Sequence, residues 1–347
     1  MAPDRRDALL WNDWHPVAFS ERLLPGQHQA VQLLDEELVL WRSADGRVMA
    51  WDDRCPHRGA RLSLGKVVDD RLACPYHGWR FDGAGRCTLK PAQPSLPVPA
   101  EPMTQAFNVT ERHGLVWVCL GTPLRDVVPY EEFADERLRN IMAGPYDVAA
   151  CAPRVVENFI DMAHFGFVHD GILGDESTTE IPEYTVHDFI DGSGQPGVRA
   201  TGMRVTQPQA NLQAAGPSDV EYGYRISRPL SAILTKQVIG SDVAEAITLF
   251  IQPMHEEASR VWMVFSGIRS PEPDEAVRRF QDTVFAQDKP ILESQRPKRL
   301  PLHMRAEQAQ RADLLSAHYR RYLRDAGLTY GVMAAVTATA PVVIPGS

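Results

Sequence analysis

Two cysteines and two histidines in mirrored loops constrain this chain more than any other feature: Cys55-x-His57 and Cys74-x-x-His77, inside "CPHRGARLSLGKVVDDRLACPYHGW". Both loops must be held together by whatever fold surrounds them. Zinc is the plainest ligand for a Cys2His2 set. Zinc sites, however, group cysteine with cysteine and histidine with histidine, whereas here each loop supplies one thiolate and one imidazole. That mixed pattern suits an iron–sulfur centre in which two cysteines hold one iron and two histidines the other. Pro56 and Pro75 stiffen the loops, and Gly59 and Gly78 allow tight turns beside the cluster.

Around these loops, from Gln29 to about Leu120, short alternating segments are separated by turn signals. "SADGR" between "LVLW" and "VMAW", and "DGAG" after "WRF", read as hairpins. Trp41, Trp51 and Trp117 are expected in the core of this β-rich unit, with Trp79 placed either to shield the cluster or to pack in that core. "PAQPSLPVPAEP" reads as an extended surface connector. After "PLRDVVPYEEF" comes a polar piece of helical character, then an apolar helix over Pro153 to Ile160. The second domain is set to begin at about Gly144, dividing the chain into 1–143 and 144–347. Its runs "EYTVHDFI", "GVRATGMRVTQ", "VEYGYRIS", "EAITLFIQPM" and "RVWMVFSGI" predict one antiparallel sheet, followed by helices over "PDEAVRRFQDTVFAQDKPILESQR" and "AEQAQRADLLSAHYRRYLRDAG".

The cluster loops, together with "WDDRCPHRGARLSLG", "GLVWVCLG", "HDGILGD" and "SQRPKRLPL", resemble the Rieske non-haem iron oxygenases over nearly the whole chain. Within that family the resemblance runs to the small hydroxylases of saxitoxin-type biosynthesis and to aromatic O-demethylases. It implies an α+β chain: a Rieske β-sandwich domain, then a catalytic helix-grip (START-like) domain with long C-terminal helices. It also implies a Rieske [2Fe-2S] cluster on Cys55, His57, Cys74 and His77.

A cluster that passes single electrons needs a second metal to receive them. "ENFIDMAHFGFVHDGILGD" holds Asn158, Asp161, His164 and His169, and two histidines with one carboxylate form the facial triad of oxygen-activating Fe(II) sites. Asp161 and His164, three apart, share a helix face. His164 and His169, five apart, diverge by about 140° on an ideal helix, which predicts a π-bulge or helix break near Gly166. The family pattern Asn-x-x-Asp-x-x-His-x-x-x-x-His matches these residues and implies that His164 and His169 bind the mononuclear iron. The resemblance places the third ligand in "FAQDKPILESQ", at Asp288, with Asp282 and Glu293 as competitors. By the same resemblance Asp161 bridges His164 of one subunit to His77 of the next in a head-to-tail trimer, and Asn158 shapes the open side of the iron.

The implied activity is that of the terminal oxygenase of a Rieske system. The expected reaction is O2-dependent monooxygenation of a C–H bond in a small polycyclic or heterocyclic molecule. The alternatives are O- or N-demethylation, or a Rieske electron carrier without oxygenase activity. Without a nicotinamide or flavin motif, a separate reductase, with or without a ferredoxin, must supply electrons from NAD(P)H. Segments 203–240 and 247–268 are the expected pocket walls. A net charge of −9 with no basic cluster argues against nucleic acid and anionic membranes. The absence of a signal peptide or membrane span, and the odd number of five cysteines, suggest a cytoplasmic chain without a disulfide framework. Cys87, Cys119 and Cys151 are expected as inert core thiols. His15, His28, His113, His187, His255, His303 and His318 lack metal-like spacing.

Overall fold

Strand pairing separates the two halves of the chain. The computed structural model describes residues 6–98, 100–101, 103–209, 216–268, 272–303 and 305–333. In the first half, a six-stranded antiparallel sheet runs in the order His15–Phe19, Leu115–Cys119, Ala106–Arg112, Val48–Asp52, Glu36–Arg42, His28–Leu33. A small four-stranded sheet, Lys66–Val68, Arg71–Ala73, Arg80–Phe81 and Cys87–Leu89, carries the second cluster loop. Both expected hairpins form, pairing Arg42 with Val48 and Phe81 with Cys87.

Trp41, Trp51, Leu62, Leu72 and Phe81 form a core beneath the small sheet, and Cys55, Cys74 and Cys87 belong to it. Trp41 and Trp51 meet edge to face at 5.2 Å, a geometry that favours aromatic pairs beyond the area they bury. Trp117 is likewise buried.

The second half is a seven-stranded, wholly antiparallel sheet in the order Leu138–Val148, Ala258–Ile268, Glu245–His255, Ser231–Val238, Ser218–Arg228, Pro196–Gln207, Thr185–Ile190. A short helix, α1 (Ala8–Trp11), lies near the N-terminus, and among the described residues the other α-helices belong to this half: α2 (Ala152–Ile160), the single turn α3 (Phe165–Val168), α4 (Asp274–Ser294) and α5 (Leu314–Asp325). α2 packs against the central strands, with α4 and α5 on either side of it. Among the described residues no helix is long and apolar enough to cross a membrane.

Several elements depart from the sequence reading. The polar piece of helical character is the strand Leu138–Val148, which pairs with Ala258–Ile268 and runs through the expected boundary at 143/144. Tertiary pairing overrides its weak helical preference. Ser231–Val238, "SAILTKQV", is an additional central strand that closes the sheet between two expected ones. The last helix begins at Leu314 rather than Ala306, directly after a 3-10 turn, Arg311–Asp313, whose start is held by a capping box of Gln310 and Asp313. The tail 334–347 lies outside the described residues.

Candidate metal centres and substrate pocket

The two cluster loops are built alike. Cys55 N–H donates to Ala60 O and Gly59 N–H to Cys55 O, both at 2.8 Å; Cys74 N–H donates to Trp79 O at 2.8 Å and Gly78 N–H to Cys74 O at 3.1 Å. Gly59 (φ 72°) and Gly78 (φ 68°) occupy the left-handed region these turns require. The loops bring the rings of His57 and His77 to 4.6 Å while both thiols sink into the core.

The donors fit an iron–sulfur cluster. His57 Nδ1 is buried with no hydrogen-bond partner, an arrangement that costs stability unless something else uses that lone pair. Burial, reinforced by neighbouring Cys74, pushes the Cys55 thiol up to about 11, so a thiolate here requires a cation beside it. Burial, then His77, Arg58 and Lys90, lower the His57 pKa and favour the neutral, ligating imidazole. Trp79 stacks flat on His57 at 4.4 Å and 5° between planes.

In the second half, His164, His169 and Asp288 converge with their ligand atoms within 4.8 Å of one another, the one such group among the described residues. Asp288 Oδ1 lies 3.2 Å from His169 Nε2 and 3.5 Å from His164 Nε2. The opposite edge of each ring is already engaged. His164 Nδ1 donates to Asp161 Oδ2 at 3.0 Å, and His169 Nδ1 donates to Gln287 Oε1 at 2.9 Å. These bonds fix both tautomers with the Nε2 lone pairs facing Asp288, as metal-binding histidines require. Burial opposes a charged His169, but Asp288 and Gln287 outweigh it and raise its pKa. The three side chains therefore favour positive charge between them.

The backbone achieves this differently from the expectation. The helix breaks before His164 rather than near Gly166: α2 ends at Ile160, Asp161 is extended at φ −87° and ψ 132°, and the chain turns back into α3. His164 and His169 cap the two ends of that single turn, and the reorientation at Asp161–Ala163 aims them together. Gly166 lies within the turn, where a Cβ would stand 3.0 Å from Asp175 O.

α4 continues unbroken through Pro290. The competitors of Asp288 are engaged elsewhere: Asp282 accepts from Tyr146 Oη at 2.7 Å and Glu293 from Ala149 N–H at 3.0 Å. Asn158 Nδ2 reaches Asp288 Oδ1 at 3.3 Å. Of the other histidines, His15, His28 and His113 bond to backbone carbonyls.

A pocket of about 760 Å³, its open mouth included, abuts the triad. One face of the sheet forms a wall, on which register aligns Tyr224, Leu234, Ile247 and Phe265 across neighbouring strands. Both expected wall segments contribute, and 210–215 lie outside the described residues. Phe280, Gln281, Val284 and Phe285 of α4 also line it. These helix residues, and Gln287, were missed from sequence: their i, i+4 spacing shows which residues share a helix face but not that the face borders a cavity. A second, more polar cavity on the other side of His164 exposes Asp161 beside Glu157, Asp313 and Arg320.

Comparison with known proteins identifies both halves of the chain. Residues 13–100 match a family model described as "Rieske [2Fe-2S] domain", and residues 148–328 one described as "Vanillate O-demethylase oxygenase C-terminal domain". The chain is 36% identical over 319 residues to methylxanthine N1-demethylase NdmA of Pseudomonas putida, covering 90% of this chain and 88% of that protein. The solved structure of Pseudomonas putida CBB5 NdmA with caffeine superposes with a TM-score of 0.78 at 34% identity, covering 91% of this chain and 90% of that one. A stretch of 114 residues, 32% of this chain and 19% of the relative, is 44% identical to oxidoreductase NdmD of Pseudomonas putida.

Proposed function

Because this chain belongs to the Rieske non-haem iron oxygenases, as a terminal oxygenase fed by a separate oxidoreductase, we propose that it oxidatively demethylates a small planar N-methylated heteroaromatic. The observation that carries this reading is the aromatic and aliphatic pocket ending at His164, His169 and Asp288. Phe159, Phe165 and the sheet residues Tyr224, Leu234, Ile247 and Phe265 give that pocket a surface suited to a flat ring, and the triad borders the same space.

His164, His169 and Asp288 would hold the mononuclear iron, and Cys55, His57, Cys74 and His77 the cluster. The iron supplies O2 activation, leaving the protein to bind and orient the substrate. In the overall reaction, O2, two electrons from NAD(P)H and two protons convert N–CH3 to N–CH2OH and water. The C–N bond then breaks, giving N–H and formaldehyde. Asn158, bonded to Asp288, holds that carboxylate in place.

Asp161 orients His164 and faces the second cavity, so in a head-to-tail homotrimer it would receive the exposed His77 of a neighbouring copy and pass electrons to His164. A ferredoxin between reductase and cluster fits the same scheme. All five cysteines are free thiols, in keeping with a cytoplasmic enzyme.

The test is formaldehyde released per NAD(P)H consumed by the holoenzyme with a reductase, across N-methylxanthines and O-methylated benzoates. Stoichiometric formaldehyde from an N-methyl substrate is expected. A hydroxylated ring that keeps its methyl group would instead establish C–H hydroxylation, and formaldehyde from methoxy substrates alone would establish O-demethylation.

A further inference from the structure

Tyr222 lines the pocket from the strand Ser218–Arg228 and is buried. Behind it lies Gln207, fully buried, whose Nε2 donates to Tyr222 Oη at 2.6 Å and to Leu173 O at 3.3 Å. The second contact fixes the amide's orientation, because only an N–H can face a carbonyl oxygen at that distance. The tyrosine oxygen is therefore an acceptor toward Gln207, and its own proton must go elsewhere. Among the described residues that proton has no acceptor. A buried hydroxyl donor left unmatched is costly, and Tyr222 borders the pocket.

A second donor group lies on the same wall: Lys236 is already engaged elsewhere, but an ammonium carries three N–H donors. Lys236 pairs in register with Tyr222 across the sheet and also lines the pocket, with Nζ 6.0 Å from the centre of the Tyr222 ring. Its position relative to the metal triad is set by the chain itself. Leu173, which accepts from Gln207, donates its N–H to His169 O at 3.0 Å, and the Phe165 ring lies 6.0 Å from both Tyr222 and His169.

We propose that Tyr222 Oη–H and Lys236 Nζ form a donor wall that binds oxygen acceptors conjugated to the substrate ring, carbonyl or carboxylate, and so selects which methyl group faces the triad. This deepens the demethylase reading and rests on it for the identity of the reacting group. The rest of the pocket is largely apolar and supplies affinity without direction. The donor wall supplies the orientation, one edge of the ring held at Tyr222 and the other presented to His164, His169 and Asp288.

The experiment is anaerobic titration calorimetry of holoenzyme, wild type, Tyr222→Phe and Lys236→Met, with caffeine and vanillate as acceptor-bearing probes and 7-methylpurine as a carbonyl-free one. Cluster absorption and iron content verify each variant's fold. Wild type is expected to bind at least one acceptor-bearing probe more tightly than 7-methylpurine. Tyr222→Phe should weaken that probe about tenfold, the worth of one buried hydrogen bond, and leave 7-methylpurine within twofold. Unchanged affinity in both variants, or wild-type preference for 7-methylpurine, overturns the donor wall. Formaldehyde assayed in parallel separates the two readings. Formaldehyde with unchanged variant affinities leaves a demethylase without the wall, whereas affinity loss with no formaldehyde from any probe leaves the wall without the demethylase.

Discussion

Gln287 Oε1 accepts from His169 Nδ1 at 2.9 Å, while the adjacent residue, Asp288, stands 3.2 Å from Nε2 of the same ring. Consecutive residues of α4 thus hold both edges of one imidazole. The pairing works because α4 lies against α2, so the late helix reaches histidines more than a hundred residues earlier in the chain.

Gln287→Met keeps the side-chain length and removes the acceptor. Its expected effect is a loss of roughly 10–100-fold in mononuclear iron affinity, with the cluster spectrum unchanged. Iron per chain after dialysis against a chelator measures it, and full iron retention would show that Gln287 does not orient His169.

Asp161→Ala removes the acceptor of His164 Nδ1, whereas the Nε2 face toward Asp288 remains. Iron affinity should fall by a factor similar to that of Gln287→Met, so turnover is compared with Fe(II) in excess and both metals fully loaded, where it should still fall by more than tenfold. A fully metallated Asp161→Ala enzyme with normal turnover would remove the case for electron passage through this carboxylate.

The two metal centres should be separable. His164→Ala is expected to lose the mononuclear iron and retain the cluster's visible and EPR spectra. Cys55→Ser should lose the cluster and leave His164, His169 and Asp288 able to bind Fe(II). If either variant lost both metals in a folded chain, the seven residues would not divide into two sites as described.

Gly174 presses on the turn between the histidines: a Cβ there would stand 2.6 Å from Gly166 N and 2.7 Å from Phe165 C. Backbone cannot yield as a flexible side chain can, so Gly174→Ala should cost about 1–3 kcal/mol and release iron. Thermal unfolding together with metal analysis tests this, and an unshifted Tm would show the α3 turn to be more compliant than its packing suggests.

Burial lowers the Lys236 pKa to about 8, with Glu245 partly opposing. A lowered lysine pKa means that the folded state binds this proton less well than the unfolded chain. The penalty is full below pH 8 and fades as pH rises toward the ordinary value near 10.4. Lys236→Met should therefore raise stability at pH 7 by roughly 2–3 kcal/mol, a gain that shrinks above pH 9. Chemical unfolding at pH 7 and pH 10 measures both, and a loss of stability at pH 7 would contradict the sign.

Elements whose physics is local could be read directly from the chain. The Cys–His loops carry their own proline and glycine turn geometry, so the proposed cluster ligands are visible within a window of 25 residues. Five strands of the large sheet followed from alternation. The carboxylate at Asp288, by contrast, came from family resemblance and from its place before Pro290, yet α4 runs unbroken through that proline, and only the packing of α4 against α2 separates Asp288 from Asp282 and Glu293.

Tertiary structure decided the rest. It placed the break at Asp161 rather than Gly166, because the reorientation of His164 depends on α2 ending against the sheet. It turned the segment Leu138–Val148 into a strand through pairing with residues over a hundred positions away. It also supplied Gln287, Gln207 and the Tyr222–Lys236 wall, where each role arises from contacts between distant segments. Local pattern fixes which residues can bind a metal, but only the packed chain fixes what stands behind each ligand and which donors face the pocket.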